Sequence, residues 1–134
     1  MKAILIVEDE PGLQKLYATH VDIFGATEFE PVLASSISEA REKFIARRAD
    51  IAGIILDGQL RGEGSELASY TLAKFFVSEG FKGPIVANSS DERVCDTLVT
   101  FGCNVQSEMT GEEAKLEAVS VLLGALETTT AASR

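Results

Sequence analysis

The stretch Ala3-Ile4-Leu5-Ile6-Val7-Glu8-Asp9-Glu10 is the most informative part of this sequence, because a short apolar run ends abruptly in acidic residues. A second run, Ile51-Ala52-Gly53-Ile54-Ile55-Leu56, ends in the same way at Asp57. Short continuous apolar runs of this kind are typical of strands that are buried on both faces of a parallel sheet. If the two strands are neighbours, their carboxyl ends bring Glu8, Asp9 and Asp57 together.

Apolar runs and amphipathic segments alternate along the rest of the chain. Strands are predicted at 3–7, 28–33, 51–56, 84–88 and 103–107, and helices at 12–25, 36–48, 65–79, 91–101 and 110–127. This alternation indicates right-handed βαβ units. We therefore expect an α/β, flavodoxin-like, doubly wound sheet of five parallel strands in the order 2-1-3-4-5, with five helices. Residues 1–127 would form this domain, and 128–134, which lack periodicity, would be a disordered tail.

Composition restricts the class of protein. The 134 residues are 46% hydrophobic and carry a net charge of −9, which suits one soluble domain and argues against nucleic acid as a partner. No segment approaches the roughly 18 apolar residues that cross a bilayer, so we expect no membrane contact. Cys95 and Cys103 do not make a disulfide framework. A cytoplasmic location is the expectation.

Clustered carboxylates repel one another unless a cation joins them, so the acidic strand ends predict a divalent metal site. For Mg²⁺, Asp9 and Asp57 would be direct ligands, Glu8 would act through water, and the backbone carbonyl of Gln59 would add an oxygen. Asp57 could also attack phosphorus as a nucleophile and form an aspartyl-phosphate. Ser89, at the end of the fourth strand, is placed to donate a hydrogen bond to a phosphoryl oxygen.

Each of these residues also has a simpler interpretation. The acids before Pro11 could merely favour the positive end of the first helix, and Asp57 could be a turn residue. Ser89 with Glu92, or Ser90 with Arg93, could be a helix N-cap. Both interpretations stay open at this point.

Three stretches carry a resemblance to a known family: ILIVEDEP at 4–11, IILD at 54–57 and PIVANSS at 84–90. Together with the five βα units, they make residues 2–127 resemble a response-regulator receiver domain of two-component signalling. The resemblance implies that Glu8 and Asp9 hold Mg²⁺ together with the phosphoacceptor Asp57. It also implies that Ser89 contacts the phosphoryl group, and that a histidine kinase or histidine phosphotransfer protein is the donor.

The chain departs from the family pattern at the fifth strand. Receivers usually place a Lys there, followed by Pro, but Glu108-Met109 occupies this position. No basic residue occurs between Arg93 and Lys115, and Val105 takes the place of the usual aromatic residue. The alternative is therefore a pseudo-receiver, a protein-binding module that acts independently of phosphorylation.

The expected mode of action is signalling rather than enzymatic turnover. A flavodoxin would need a hydroxyl- and glycine-rich loop after the first strand, where this chain has acids and a proline. Nothing after about residue 127 is long enough for an output domain, so we expect a stand-alone receiver. It would contact a downstream protein through its last helix, fifth strand and fourth helix, as a monomer or weak homodimer.

Overall fold

The computed structural model describes residues 1–25, 28–107 and 111–132. These residues form a five-stranded parallel sheet in the order β2-β1-β3-β4-β5, which confirms the predicted fold class. The strands are β1 (Lys2–Val7), β2 (Phe29–Ala34), β3 (Ile51–Asp57), β4 (Ile85–Asn88) and β5 (Val105–Gln106). The helices are α1 (Pro11–Phe24), α2 (Ile37–Arg47), α3 (Leu67–Ser78), α4 (Glu92–Phe101), α5 (Glu112–Leu116) and α6 (Ala118–Ala132). A single 3₁₀ turn, Arg61–Glu63, follows β3.

The described part of the chain has six α-helices, so the prediction of five was wrong. The predicted last helix is divided at Glu117, where ψ is 0°. The two pieces differ in burial. Within the described residues of α5 no side chain is fully buried, whereas Ala118, Val119 and Leu122 of α6 lie in the core. α6 continues to Ala132, beyond the predicted end at Glu127 and into the stretch predicted as a tail. The domain bounds 1–127 stay a prediction.

The core lies on both faces of the sheet. On one face α2, α3 and α4 pack their apolar residues against Leu5, Val7 and Leu56. On the other, α1 and α6 cover Ile4, Ile6 and Ile55 with a cluster that includes Tyr17, Val21, Val119 and Leu122. α6 approaches β3 so closely that a Cβ on Gly53 would lie 2.7 Å from Cδ1 of Leu122. A side chain at this position would require the Leu122 side chain to move.

Strand alternation determines which side chains meet at the carboxyl end of the sheet. Successive side chains of a strand point to opposite faces. The side chain of Glu8 therefore points to the same face of the sheet as Ile4 and Ile6, the face covered by α1 and α6. For the same reason Asp57 shares this face with Ile55, and Asn88 shares it with Val86. The register pairs Val7 with Leu56 and Asp57 with Asn88, so the three strands end at nearly the same level.

Polar side chains start the helices that flank this end. Glu10 caps α1 by accepting from the backbone N–H groups of Gly12 and Leu13 at 3.0 and 2.8 Å, and Pro11 occupies the first helical position. Ser36 caps α2 by accepting from Glu39 N at 3.1 Å. Residue 110, the predicted start of the last helix, lies outside the described residues. Of the helices that the structure describes, none is long and apolar enough to cross a membrane.

Candidate functional site

Three carboxylates meet at the carboxyl ends of β1 and β3. Each of Glu8, Asp9 and Asp57 offers an oxygen that lies within 4.8 Å of the others. Glu8 is 1% exposed and Asp57 2% exposed, whereas Asp9 is half-buried. The predicted clustering of these acids is therefore confirmed.

Glu8 is the most deeply buried of the three acids. Its Oε2 accepts from the backbone N–H groups of Asp9 and Glu10 at 3.0 and 3.3 Å. Its Oε1 has no hydrogen-bond partner within the described part of the chain, and Lys115 Nζ lies 3.5 Å away. Burial, followed by the proximity of Asp57, raises the pKa of Glu8 from 4.5 to about 8. The nearby ammonium of Lys115 lowers the pKa of Glu8 but does not offset the effect of burial, so this carboxylate is costly to ionise.

Asp57 is oriented by bonds at its side chain and its backbone. Its Oδ1 accepts from the backbone N–H of Gln59 at 2.9 Å. Its carbonyl oxygen accepts from the buried hydroxyl of Ser69, on α3, at 2.8 Å. Gly58 lies between Asp57 and Gln59, and a Cβ on Gly58 would lie 2.3 Å from Cγ1 of Val94 on α4. The turn that follows Asp57 is therefore packed closely against α4.

The loop after β3 is attached to the site through Asp9. Oδ2 of Asp9 accepts from the backbone N–H of Gly62 at 3.3 Å. In the same 3₁₀ turn, Oε1 of Glu63 accepts from the backbone N–H of Ile37 at 2.9 Å, at the start of α2. The loop is therefore held from β1 and from α2.

Ser89 lies beside Asp57 at the end of β4 and is 2% exposed. Its hydroxyl donates to Oε1 of Gln59 at 2.9 Å and accepts from the backbone N–H of Asp91 at 3.1 Å. The N-cap of α4 is Asp91, which accepts from Arg93 N at 2.9 Å, so the interpretation of Ser89 or Ser90 as the N-cap was wrong. Gln59 thus reaches the site through its backbone N–H and its side chain, and its carbonyl remains a proposed metal ligand.

A buried polar pair lies beneath the acids on the α1 side. Nδ2 of Asn88 donates to the hydroxyl of Tyr17 at 3.1 Å, and Oδ1 of Asn88 has no partner among the described residues. Burial is the main cause that raises the pKa of Tyr17 well above its ordinary value. Sequence analysis missed this pair, because nothing in either segment indicates that the two polar groups meet inside the core.

Sequence analysis also missed Lys115. The resemblance expects a cation at the end of the fifth strand, whereas Lys115 reaches the acids from α5 with its side chain 14% exposed. A signal was present, since Lys115 is the first basic residue after β5. Glu108, which stands where the resemblance expects a lysine, lies outside the described residues.

The donor set fits a hard divalent cation. Mg²⁺ prefers oxygen ligands and is usually held by one or two carboxylates with several waters. Three carboxylates within 4.8 Å supply such ligands, and the unpartnered Oε1 of Glu8 leaves an acceptor to be satisfied. The residues present therefore match the metal predicted from the sequence.

No protein-family model matches the chain, and no curated protein does. Solved structures do. The receiver domain of NtrX from Brucella abortus is 21% identical with a TM-score of 0.70, and the match covers 93% of this chain and 98% of that one. A response regulator receiver protein from Pseudoalteromonas atlantica is 14% identical with a TM-score of 0.66, covering 95% and 98%.

A third similar structure is the CheX-CheY-BeF3-Mg²⁺ complex from Borrelia burgdorferi, which is 16% identical with a TM-score of 0.63 and covers 96% of this chain and 89% of that one. Identities this low establish the fold and not the activity. The chain has the fold of a response-regulator receiver domain.

Proposed function

We propose that this protein is a response-regulator receiver that binds Mg²⁺ and accepts a phosphoryl group on Asp57 from a histidine kinase or histidine phosphotransfer protein. The observation that carries the proposal is the convergence of Glu8, Asp9 and Asp57 within 4.8 Å at two adjacent strand ends. Burial of two of these acids makes a purely structural role costly. The protein would act through protein–protein contacts rather than by turnover of a substrate.

Each acid has a distinct role in this proposal. Asp9 and Asp57 would bind Mg²⁺ directly, Glu8 would act through water, and the Gln59 carbonyl would add a further oxygen. When bound, the metal supplies positive charge that offsets both the carboxylates and the incoming phosphoryl oxygens. The 16%-identical CheY complex, described with BeF3 and Mg²⁺, supports this part of the proposal.

In the transfer step, a carboxylate oxygen of Asp57 attacks the phosphorus of a phosphohistidine. A P–O bond forms, the P–N bond breaks, and the imidazole nitrogen leaves with the electron pair and takes a proton from solvent. The bond from Gln59 N–H to Oδ1 holds one oxygen of Asp57, which leaves the second oxygen to attack. Ser89 would exchange its bond to Gln59 for one to a phosphoryl oxygen.

The partners follow from the same proposal. The donor would be a kinase or phosphotransfer protein, and the output would be an unidentified protein that contacts α4, β5 and α6. The protein would be a monomer or weak homodimer in the cytoplasm, where ATP-dependent kinases work, with no nucleic acid or membrane as partner. The CheX–CheY complex supports a protein partner.

The alternative is a pseudo-receiver that binds a partner without phosphorylation. The observation that favours it is Glu108, a negative charge in the sequence where the resemblance expects a positive one. At about 5 Å and an effective dielectric of roughly 20, a unit charge contributes on the order of 3 kcal/mol, enough to weaken phosphorylation substantially.

The two functions are separated by incubation with acetyl phosphate and Mg²⁺, followed by intact-mass measurement. We expect wild type to gain the mass of one phosphoryl group and Asp57→Asn to gain none. Asp50→Asn is the matched control, because Asp50 is exposed at the opposite end of β3 and should leave the gain unchanged. Absence of a gain on wild type, or an equal gain on Asp57→Asn, would support the pseudo-receiver instead.

A further inference from the structure

Lys115 brings a positive charge into the acid cluster from outside the sheet. Its Nζ lies 3.5 Å from Oε1 of Glu8, and its side chain is 14% exposed. Oε1 of Glu8 accepts no hydrogen bond from any described residue, so the ammonium is the cation that faces this buried oxygen. An ion pair with one partner only 1% exposed is screened far less than a surface pair.

The helix that carries Lys115 is otherwise weakly held. α5 consists of the five described residues Glu112–Leu116, and none of these five is fully buried. It begins after Gly111, whose φ is 64° and which gives no side-chain cap. Leu116 at its other end is 51% exposed. With so little apolar burial, α5 depends on few contacts, and the ion pair with Glu8 joins it to the end of β1.

Once Glu8 is ionised, a divalent cation and Lys115 compete for its negative charge. Glu8 belongs to the group of three carboxylates that would hold Mg²⁺, and its carboxylate already faces the ammonium. Two cations at one carboxylate repel each other, so each must weaken the binding of the other. Because linkage is reciprocal, the metal must loosen the lysine by the same free energy.

We propose that Lys115 is a built-in counter-cation of the acid cluster and that Mg²⁺ displaces it, which releases α5 from the end of β1. This inference rests on the proposed function, because it requires Mg²⁺ at Glu8, Asp9 and Asp57. The attachment of α5 to β1 would then depend on whether Mg²⁺ occupies the acid cluster. α5 leads directly into α6, one of the elements proposed to contact the partner.

The first test is the Mg²⁺ affinity of the full chain, measured by calorimetry for wild type, Lys115→Met and Lys115→Arg. We expect Lys115→Met to bind Mg²⁺ about tenfold more tightly, since one repelling unit charge is removed from the cluster. Lys115→Arg keeps the charge and should bind as wild type does. Lys82→Met is the matched control, because Lys82 is exposed near Gly83 and the start of β3, at the opposite end of the sheet.

The second test is hydrogen exchange of residues 111–117 in wild type with and without Mg²⁺, which requires no variant. We expect exchange in this segment to become several-fold faster when Mg²⁺ binds. In Lys115→Met it should be fast without the metal and unchanged by it. A lysine that only stabilises the fold would leave wild-type exchange unchanged or slower with Mg²⁺.

The outcomes separate this inference from the proposed function. If Mg²⁺ binds wild type and Lys115→Met equally, or exchange of 111–117 does not rise, the displacement is wrong and the metal site stands. If neither protein binds Mg²⁺, both the metal site and the displacement are wrong. If Lys115→Met does not fold, the exchange measurement on wild type still decides.

Discussion

At the amino end of the strands, Phe44 packs against the rings of Phe75, Phe76 and Phe81, with centroids 5.0–6.0 Å apart. At the carboxyl end of the same sheet, the buried side chains include Glu8 and Asp57. The unpartnered buried oxygens within the described residues, Oε1 of Glu8 and Oδ1 of Asn88, both belong to the carboxyl end.

The amino end of the sheet therefore contributes mainly to the stability of the fold, and the carboxyl end to the candidate site. Aromatic packing at the amino end gains free energy from apolar burial, and the buried Nε of Arg41 beside Phe75 is the unpartnered polar atom there among the described residues. Buried acceptors without donors cost free energy, which a bound cation can recover. Mutations at the amino end should therefore change stability alone, whereas those at the carboxyl end should change how stability responds to Mg²⁺ and pH.

The largest expected effect is at the amino end. Phe44→Ala removes a fully buried ring and should lower the free energy of unfolding by about 3–5 kcal/mol, measured by urea denaturation. The stabilisation gained from Mg²⁺ should not change. Its neighbour Ile45 is 57% exposed, so Ile45→Ala is the control and should cost less than about 0.5 kcal/mol. A Phe44→Ala protein that lost its response to Mg²⁺ would break the proposed separation of the two ends.

The next effect is at Glu8 and depends on pH. The pKa of Glu8 is about 8 in the folded protein against 4.5 ordinarily, so between these values the folded state holds a proton that the unfolded chain has released. Metal-free wild type should therefore lose stability as pH rises from 5 toward 8, by roughly 3 kcal/mol. Glu8→Gln has no such proton to lose and should show a flatter profile.

The free energy of unfolding of wild type and Glu8→Gln is measured by thermal or urea unfolding across this pH range, in the presence of a chelator. With Mg²⁺ added, wild type should recover stability at pH 8 and Glu8→Gln should recover much less. Glu10→Gln is the control, because Glu10 is exposed and caps α1 rather than entering the acid cluster. Identical pH profiles for wild type and Glu8→Gln would show that Glu8 is not the costly group.

The smallest effect is on the polar pair beneath the acids. Tyr17→Phe leaves Nδ2 of Asn88 without its bond to the Tyr17 hydroxyl and should cost about 1 kcal/mol in urea unfolding. Tyr70→Phe is the control, since Tyr70 is partly exposed and stacks on Phe101 through its ring. If Tyr17→Phe were as stable as wild type, the carboxyl end would not depend on this pair.

The ends of β1 and β3 are the part of the site that could be predicted from the sequence. The runs before Glu8 and Asp57 are short, apolar and continuous, which identifies parallel strands, and the rules of βαβ connection then place β1 beside β3. The clustering of three acids followed from these local patterns and was confirmed at 4.8 Å. Their assignment as Mg²⁺ ligands, with Asp57 as phosphoacceptor, stays a prediction.

The division of the last helix shows where sequence reasoning failed. Residues 110–127 have a helical pattern throughout, so periodicity predicts one helix. The break at Glu117 arises where an exposed α5 meets a buried α6, and burial is decided by the rest of the fold. The pairing of Ser89 with Gln59 was hidden for the same reason, since the two residues lie 30 positions apart.

The strands, their order and the acidic end of the sheet follow from the amino-acid sequence, because hydrophobic period and strand termini are local properties. The groups that complete that end are visible only in the folded protein. Lys115 reaches Glu8, and Asn88 reaches Tyr17, through contacts between segments far apart in the chain. Such contacts depend on how helices settle against the sheet, and the spacing of residues in one segment does not encode the position of another.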